Sequence, residues 1–169
     1  MNGYGTSPIE LLAADAMLRR EIWCEHFTYT APFLAGTAQA VPVGVGQATQ
    51  NTNINADSDF VVQMMNLSVR DAAGANVVAP NMSILIIAAG SGKQIMDQAV
   101  PVTNLLGNFG AAQVPSVLPF PRLFAAKGTV QTTITNREAF APLRVEVAYV
   151  GFKVHYTGQK SRQDVFHVL

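Results

Sequence analysis

The chain contains a single cysteine, Cys24, and only 13% charged residues. One thiol excludes an internal disulfide framework and a multi-cysteine zinc site. The little charge there is balances, 11 basic residues against 11 acidic ones. With no net field, neither nucleic acid nor an anionic membrane surface is attracted. Long hydrophobic runs are also missing: the most apolar, Ile84 to Ala89, is far short of the roughly 20 residues that a spanning helix needs. Met1 to Gly5 lack a basic segment followed by an apolar stretch, so no secretory signal is expected, and Asn2 departs from the myristoylation pattern.

What is present is apolar and neutral. The 169 residues suit one domain, and 49% of them are hydrophobic. An ordinary soluble domain carries roughly 25% charged residues. Residues 26 to 56, 72 to 92 and 98 to 121 contain no Asp, Glu, Lys or Arg at all. Buried centres of interfaces are depleted of charge, so the pattern points to a subunit packed against neighbours.

Ser7-Pro8-Ile9-Glu10 has the form of a helix start: a capping hydroxyl, a proline where no N–H is needed, and a glutamate to close the capping box. Ile9, Leu12, Ala13, Ala16 and Met17 follow at helical spacing, which predicts a helix from Pro8 to about Arg20. Trp23, Phe27 and Tyr29 then fit a strand. Ala31 to Ala56, interrupted by Pro32, Pro42, Gly44 and Gly46, is either an extended arm or a pair of short edge strands. Asp59 to Arg70 reads as a strand whose Phe60, Val62, Met64 and Leu67 share a side if the pleat shifts once. Ile84 to Ile87 reads as a strand buried on both faces. Residues 98 to 121, with four prolines and two glycines, read as a loop that packs onto something. Thr129 to Asn136 and Leu143 to Tyr156 read as strands pairing with each other, the second broken in register at Gly151. Seven or eight strands with one terminal helix predict an all-β antiparallel sandwich, jelly-roll-like or immunoglobulin-like.

Motifs for chemistry fail on inspection. Gly90-Ser91-Gly92-Lys93-Gln94 suggests a phosphate loop, but position 87 is Ile87 and Gln94 replaces the magnesium-binding hydroxyl. Gly44-Val45-Gly46 lacks the third glycine of a dinucleotide fingerprint, since Thr49 stands there. Cys24 and His26 share a strand face and are the sole candidate nucleophile pair, with a core cysteine as the plainer reading. Asp57 and Asp59, with Asn53 or Asn55, offer too few carboxylates for a tight calcium site. Asn66-Leu67-Ser68 and Asn81-Met82-Ser83 match the glycosylation pattern, which matters only in a secreted chain. Trp23, Tyr29 and Tyr149 are the aromatic residues a sugar-binding sandwich would use. No enzyme activity, cofactor or metal is expected.

The stretches Asp57 to Val62, Leu118 to Phe124, Ala126 to Val130, Thr133 to Asn136 and Val145 to Lys153 together resemble the β-sandwich cement, or decoration, proteins of tailed-bacteriophage heads. The resemblance covers roughly residues 57 to 156 and transfers no functional residue. It implies a virion structural protein, made in the bacterial cytoplasm, that binds the major capsid protein on the outer capsid surface and stabilises the head. Other phage positions, in tail, collar or head completion, and a carbohydrate-binding sandwich are the alternatives. The expected partners are the capsid lattice and further copies of the chain, as dimer or trimer, with no nucleic acid and no membrane.

The expected organisation is a helix, first strand and arm over 1–56, a sandwich core over 57–157 joined by strand 21–30, and a tail over 158–169. Contact with neighbours is expected from Ile9, Leu12, Met17, Phe33, Leu34, Leu105, Leu106, Phe109, Phe166 and Leu169.

Overall fold

The computed structural model describes residues 7–77, 80–88, 93–94, 96–106, 116–158 and 160–166. It opens on helix α1 (Pro8–Leu18), where the Ser7 hydroxyl accepts the Glu10 N–H and the Glu10 carboxylate accepts the Ser7 N–H, closing the capping box. The strands are β1 (Ile22–Leu34), β2 (Gly46–Asn53), β3 (Asp59–Arg70), β4 (Met82–Ala88), β5 (Lys93–Gln94), β6 (Val100–Pro101), β7 (Ser116–Phe124), β8 (Thr129–Asn136) and β9 (Arg144–Tyr156). Two short helices, α2 (Val102–Leu106) and α3 (Arg162–Phe166), complete the elements.

One sheet has the order β1-β9-β3-β7 and the other β2-β8-β4-β5, with β6 pairing β4 off that path. The antiparallel pairs β1 with β9, β2 with β8, β3 with β7 and β4 with β5 are those of one long ribbon folded over on itself. This winding is that of a jelly roll, because an immunoglobulin sandwich keeps its first two strands side by side in one sheet. It also corrects the expected pairing of Thr129–Asn136 with the last strand. β8 and β9 lie in opposite sheets, each bonded on both sides to strands much earlier in the chain.

The main core fills the space between the sheets, with Phe33, Phe60, Leu67, Ile84, Ile86, Ile134 and Tyr149 almost wholly buried. Tyr149 carries its hydroxyl into this core and bonds it to Thr132 at 2.5 Å; burial pushes the phenol well above its ordinary range. A second core lies on the other face of the first sheet. There Ala13 and Ala16 of α1 and Val165 and Phe166 of α3 pack with Ile22, Val61 and Val154. The alanines leave the helix backbone free to approach the sheet closely.

The pleat of β3 shifts once, between Val62 and Met64, so Phe60 and Val62 face the main core and are followed there by Met65, Leu67 and Val69. Met64, expected on that face, is displaced by the bulge. Gly151 stands opposite this point: a Cβ there would meet the Val61 carbonyl oxygen at 1.9 Å. The register break expected in the last strand therefore belongs to β3, and β9 pairs with β1 without interruption. The loop expected over 98 to 121 is corrected at its end by β7, an edge strand. Pairing with β3 passes directly from Val62–Arg122 to Met64–Val117, and Pro119 and Pro121 fall in that gap, where no ladder N–H is required.

The expected arm is also part of the sandwich. β1 extends to Leu34, and residues 46 to 53 form the edge strand β2, joined to β8 over its whole length. Among the described residues no helix is long and apolar enough to cross a membrane.

Candidate assembly surface

Helix α1 is apolar on both sides. Its inner side is spent on the second core, while Leu11, Met17 and Leu18 stand outward, Leu18 at 85% exposure. Leu11 and Leu18 are seven residues apart and so share one stripe of the helix surface. Polar contacts fix the helix in place. Gln63, at the bulge of β3, donates to the Glu10 carboxylate at 2.7 Å, and the bond from the Ser7 N–H draws the Glu10 pKa below its ordinary value. Glu21, just after the helix, meets Lys160 at 3.0 Å.

Behind the helices sits a buried charged cluster. The Asp59 carboxylate, 1% exposed, accepts the Ala126 N–H and the Tyr156 hydroxyl, each at 2.6 Å. Arg162 adds a fork of two bonds, Nε to Oδ2 at 2.8 Å and Nη2 to Oδ1 at 3.0 Å. Bonding to Asp59 raises the Arg162 pKa, and burial followed by the Asp59 bond pushes the Tyr156 phenol far above its ordinary range. These partners saturate Asp59, and Asp57 accepts the Ser58 hydroxyl. The calcium arrangement considered for Asp57 and Asp59 is thereby excluded at Asp59. Among the described residues no three His, Cys, Asp or Glu side chains converge as a metal site would require.

A second apolar group lies at the opposite end of the β1–β9 pair. Leu34 ends β1 and Leu143 precedes β9, tied by the Ala35 N–H on the Leu143 carbonyl at 2.9 Å. Val43 and Val45, in the segment that joins the end of β1 to the start of β2, are 59% and 86% exposed. Their outward setting is dictated by the backbone. The wholly buried Asn136 donates to the Pro42 and Phe140 carbonyls, both at 2.9 Å, and the Gly44 N–H reaches the Glu138 carbonyl. Gly44 has φ +72°, and a Cβ on Gly46 would meet Pro42 at 2.1 Å, so the segment needs both glycines.

Between these ends lie three neighbouring strands of the second sheet, β2, β8 and β4. Strands β2, β8 and β4 contain no Asp, Glu, Lys or Arg. Their outward side chains bond to one another, Thr49 with Thr133 at 3.0 Å and Thr129 to Asn53 at 3.0 Å, beside the half-exposed Leu85 and Ile87.

Of the residues expected to meet neighbours, Met17 and Leu34 are exposed. Ile9 and Leu12 are half-buried against the second core. Phe33 and Phe166 are corrected: at 1% and 2% exposure they are consumed by the subunit's own two cores and offer nothing to a partner. Leu105 and Leu106 belong to α2, while Phe109 and Leu169 lie outside the described residues. So do Gly90, Ser91 and Gly92 of the failed phosphate loop, whose Lys93 and Gln94 pair with Ala88 and Ile87. Cys24 is half-buried against the second core, where desolvation raises its thiol pKa and keeps it protonated, and His26 is exposed beside it. Leu11, Leu18, Val43, Val45 and Leu143 were not singled out by the sequence. The seven-residue spacing of the two leucines was the signal available for the first pair.

No protein-family model matches the sequence, and no curated protein matches it. The fold is similar to solved structures at low identity. The infectious bursal disease virus structure of the Gx strain shares 12% identity at a TM-score of 0.36, covering 85% of this chain and 34% of that one. The VP2 subviral particle of the same virus gives 12% and 0.33, with the same coverage of 85% and 34%. The ANX2 ectodomain of Arabidopsis thaliana gives 7% and 0.30, covering 78% of this chain and 42% of that one. The chain thus spans about a third of the length of the viral chains it is similar to. Strand order, not these likenesses, defines the jelly roll.

Proposed function

We propose that this chain is a non-enzymatic structural subunit of a virion, a cement or decoration protein that binds the major capsid protein of a tailed-phage head from outside and stabilises the shell. The observation that carries the reading is the placement of exposed apolar side chains. Leu11, Met17 and Leu18 stand at one end of the sandwich and Leu34, Val43, Val45 and Leu143 at the other, on a chain only 13% charged. Large exposed side chains grouped in this way mark surfaces that become buried on association. The charge-free outer face of β2, β8 and β4 adds area that a neighbour covers without desolvating an ion. The resemblance of residues 57 to 156 to phage cement proteins supports the same reading. Two contact regions at opposite ends let one subunit bridge two neighbours, so that each attachment raises the effective concentration of the next.

Co-sedimentation with shells assembled from the major capsid protein of the same genome tests the proposal. Saturable binding at a fixed number of copies per shell, with a raised shell melting temperature, supports it. A subunit that stays in the supernatant and leaves the shells unchanged overturns it.

A further inference from the structure

Trp23 is the only tryptophan, and half of its surface is exposed. Its ring is held rigidly: the His155 imidazole, directly across the β1–β9 ladder, stacks on it with centroids 3.8 Å apart and planes 5° from parallel. β1 is the edge strand of its sheet, so among the described residues no strand pairs with it on the side away from β9. Trp23 stands at that edge with half of its surface open to solvent. Two residues along the same side of the strand, Glu25 places a half-exposed carboxylate, its Oε2 3.6 Å from His155 Nε2. Lys153, opposite Glu25 in the ladder, turns instead to the Phe27 ring, with its ammonium 3.8 Å from the centroid.

An exposed, pre-oriented indole face beside an acceptor-only carboxylate is the complement of a cation. A sugar would need several hydrogen-bond donors as well as acceptors around its ring, more than one indole N–H and one carboxylate supply. His155 Nε2 is buried and has no hydrogen-bond partner, so it presents nothing outward. A flat cation matches better than an ammonium, because a guanidinium stacks in parallel on the indole while its N–H groups reach the carboxylate. We propose that Trp23 and Glu25 form a receptor for the guanidinium of an arginine side chain. It rests on the assembly reading only for the source of that arginine, the surface to which the subunit binds.

The test uses the full chain at about pH 8. Trp23 emission is followed during titration with N-acetylarginine amide, with N-acetylcitrulline amide as the uncharged isostere and methyl glucopyranoside as the sugar. The expected result is a saturable change in the millimolar range with the arginine compound alone, weakened about two- to fivefold in Glu25→Gln. An equal response to the citrulline compound, a stronger one to the pyranoside, no saturable response to arginine, or an unaltered response in Glu25→Gln would overturn it. The readout needs no shell, so failure of the assembly reading leaves this result standing, and the reverse.

Discussion

Arg162 grips Asp59 through two hydrogen bonds across 103 residues of sequence, and in doing so fastens the last helix to the first strand of the resemblance region. Asp59 is 1% exposed, whereas the Arg162 side chain is 32% exposed. Removing the arginine strands a carboxylate in a site closed to water. Arg162→Ala should cost about 2 to 4 kcal/mol in denaturant unfolding, less than a fully buried pair because one partner reaches solvent. Amide exchange in α3 should rise first. Unchanged stability would mean that Tyr156 and the Ala126 N–H suffice to hold Asp59.

Gly151 meets the bulge of β3 so closely that any side chain displaces backbone, with the Val61 carbonyl 1.9 Å from where a Cβ would stand. Gly151→Ala should destabilise by about 3 kcal/mol, since strand separation at the bulge is the only relief. Gly74→Ala serves as a contrast. At φ +82° but with open space around it, this glycine should cost only the backbone strain of about 1 kcal/mol.

Stability should fall at both extremes of pH, for opposite reasons. Glu10 has a depressed pKa in the fold, so its contribution is present above the ordinary value of 4.5 and is lost as the pH falls through the folded value. Glu10→Gln, which keeps the capping geometry, should lose less stability than the parent between about pH 5 and pH 3. Tyr29, Tyr149 and Tyr156 have raised pKa values, chiefly through burial. Their contribution is complete below the ordinary phenol value of 10 and declines above it, because the unfolded chain ionises first. The tyrosinate absorbance of these three of the four tyrosines should therefore appear together with loss of the sheet signal in circular dichroism; their ionisation in the intact fold would contradict the burial assigned to them.

The local elements were legible in the sequence, and the winding was not. Ser7, Pro8 and Glu10 specify a helix start within four residues, and the structure shows that capping box. Val145, Val147 and Tyr149 alternate as expected because one side of β9 is wholly buried. Strand partners, by contrast, depend on which distant segment shares a sheet. The short connection after β8 suggests a hairpin, whereas the jelly roll carries β8 and β9 to opposite sheets. Pro119 and Pro121 spoke against a strand, yet an interrupted edge pairing tolerates them. At the surface, composition announced a charge-poor contact region but not its side chains. Bulk and hydrophobicity do not tell a core from an interface, so Phe33 and Phe166 look like contact residues in sequence, whereas Val43 and Val45 face outward through backbone constraints around Pro42, Gly44 and Asn136.

The central claim is that the outward apolar groups at the two ends serve association. The most direct measurement compares the parent chain with Leu11→Ser/Leu18→Ser and Val43→Ser/Val45→Ser in shell co-sedimentation, with light scattering of the free subunits alongside. Each pair replaces exposed side chains, so folding stability should stay within about 0.5 kcal/mol per site of the parent. The account predicts that each variant remains folded and binds shells at least tenfold more weakly, with the four-site combination not retained at all. Variants that bind as tightly as the parent, or a parent chain that is a monomer with no affinity for shells, would contradict it.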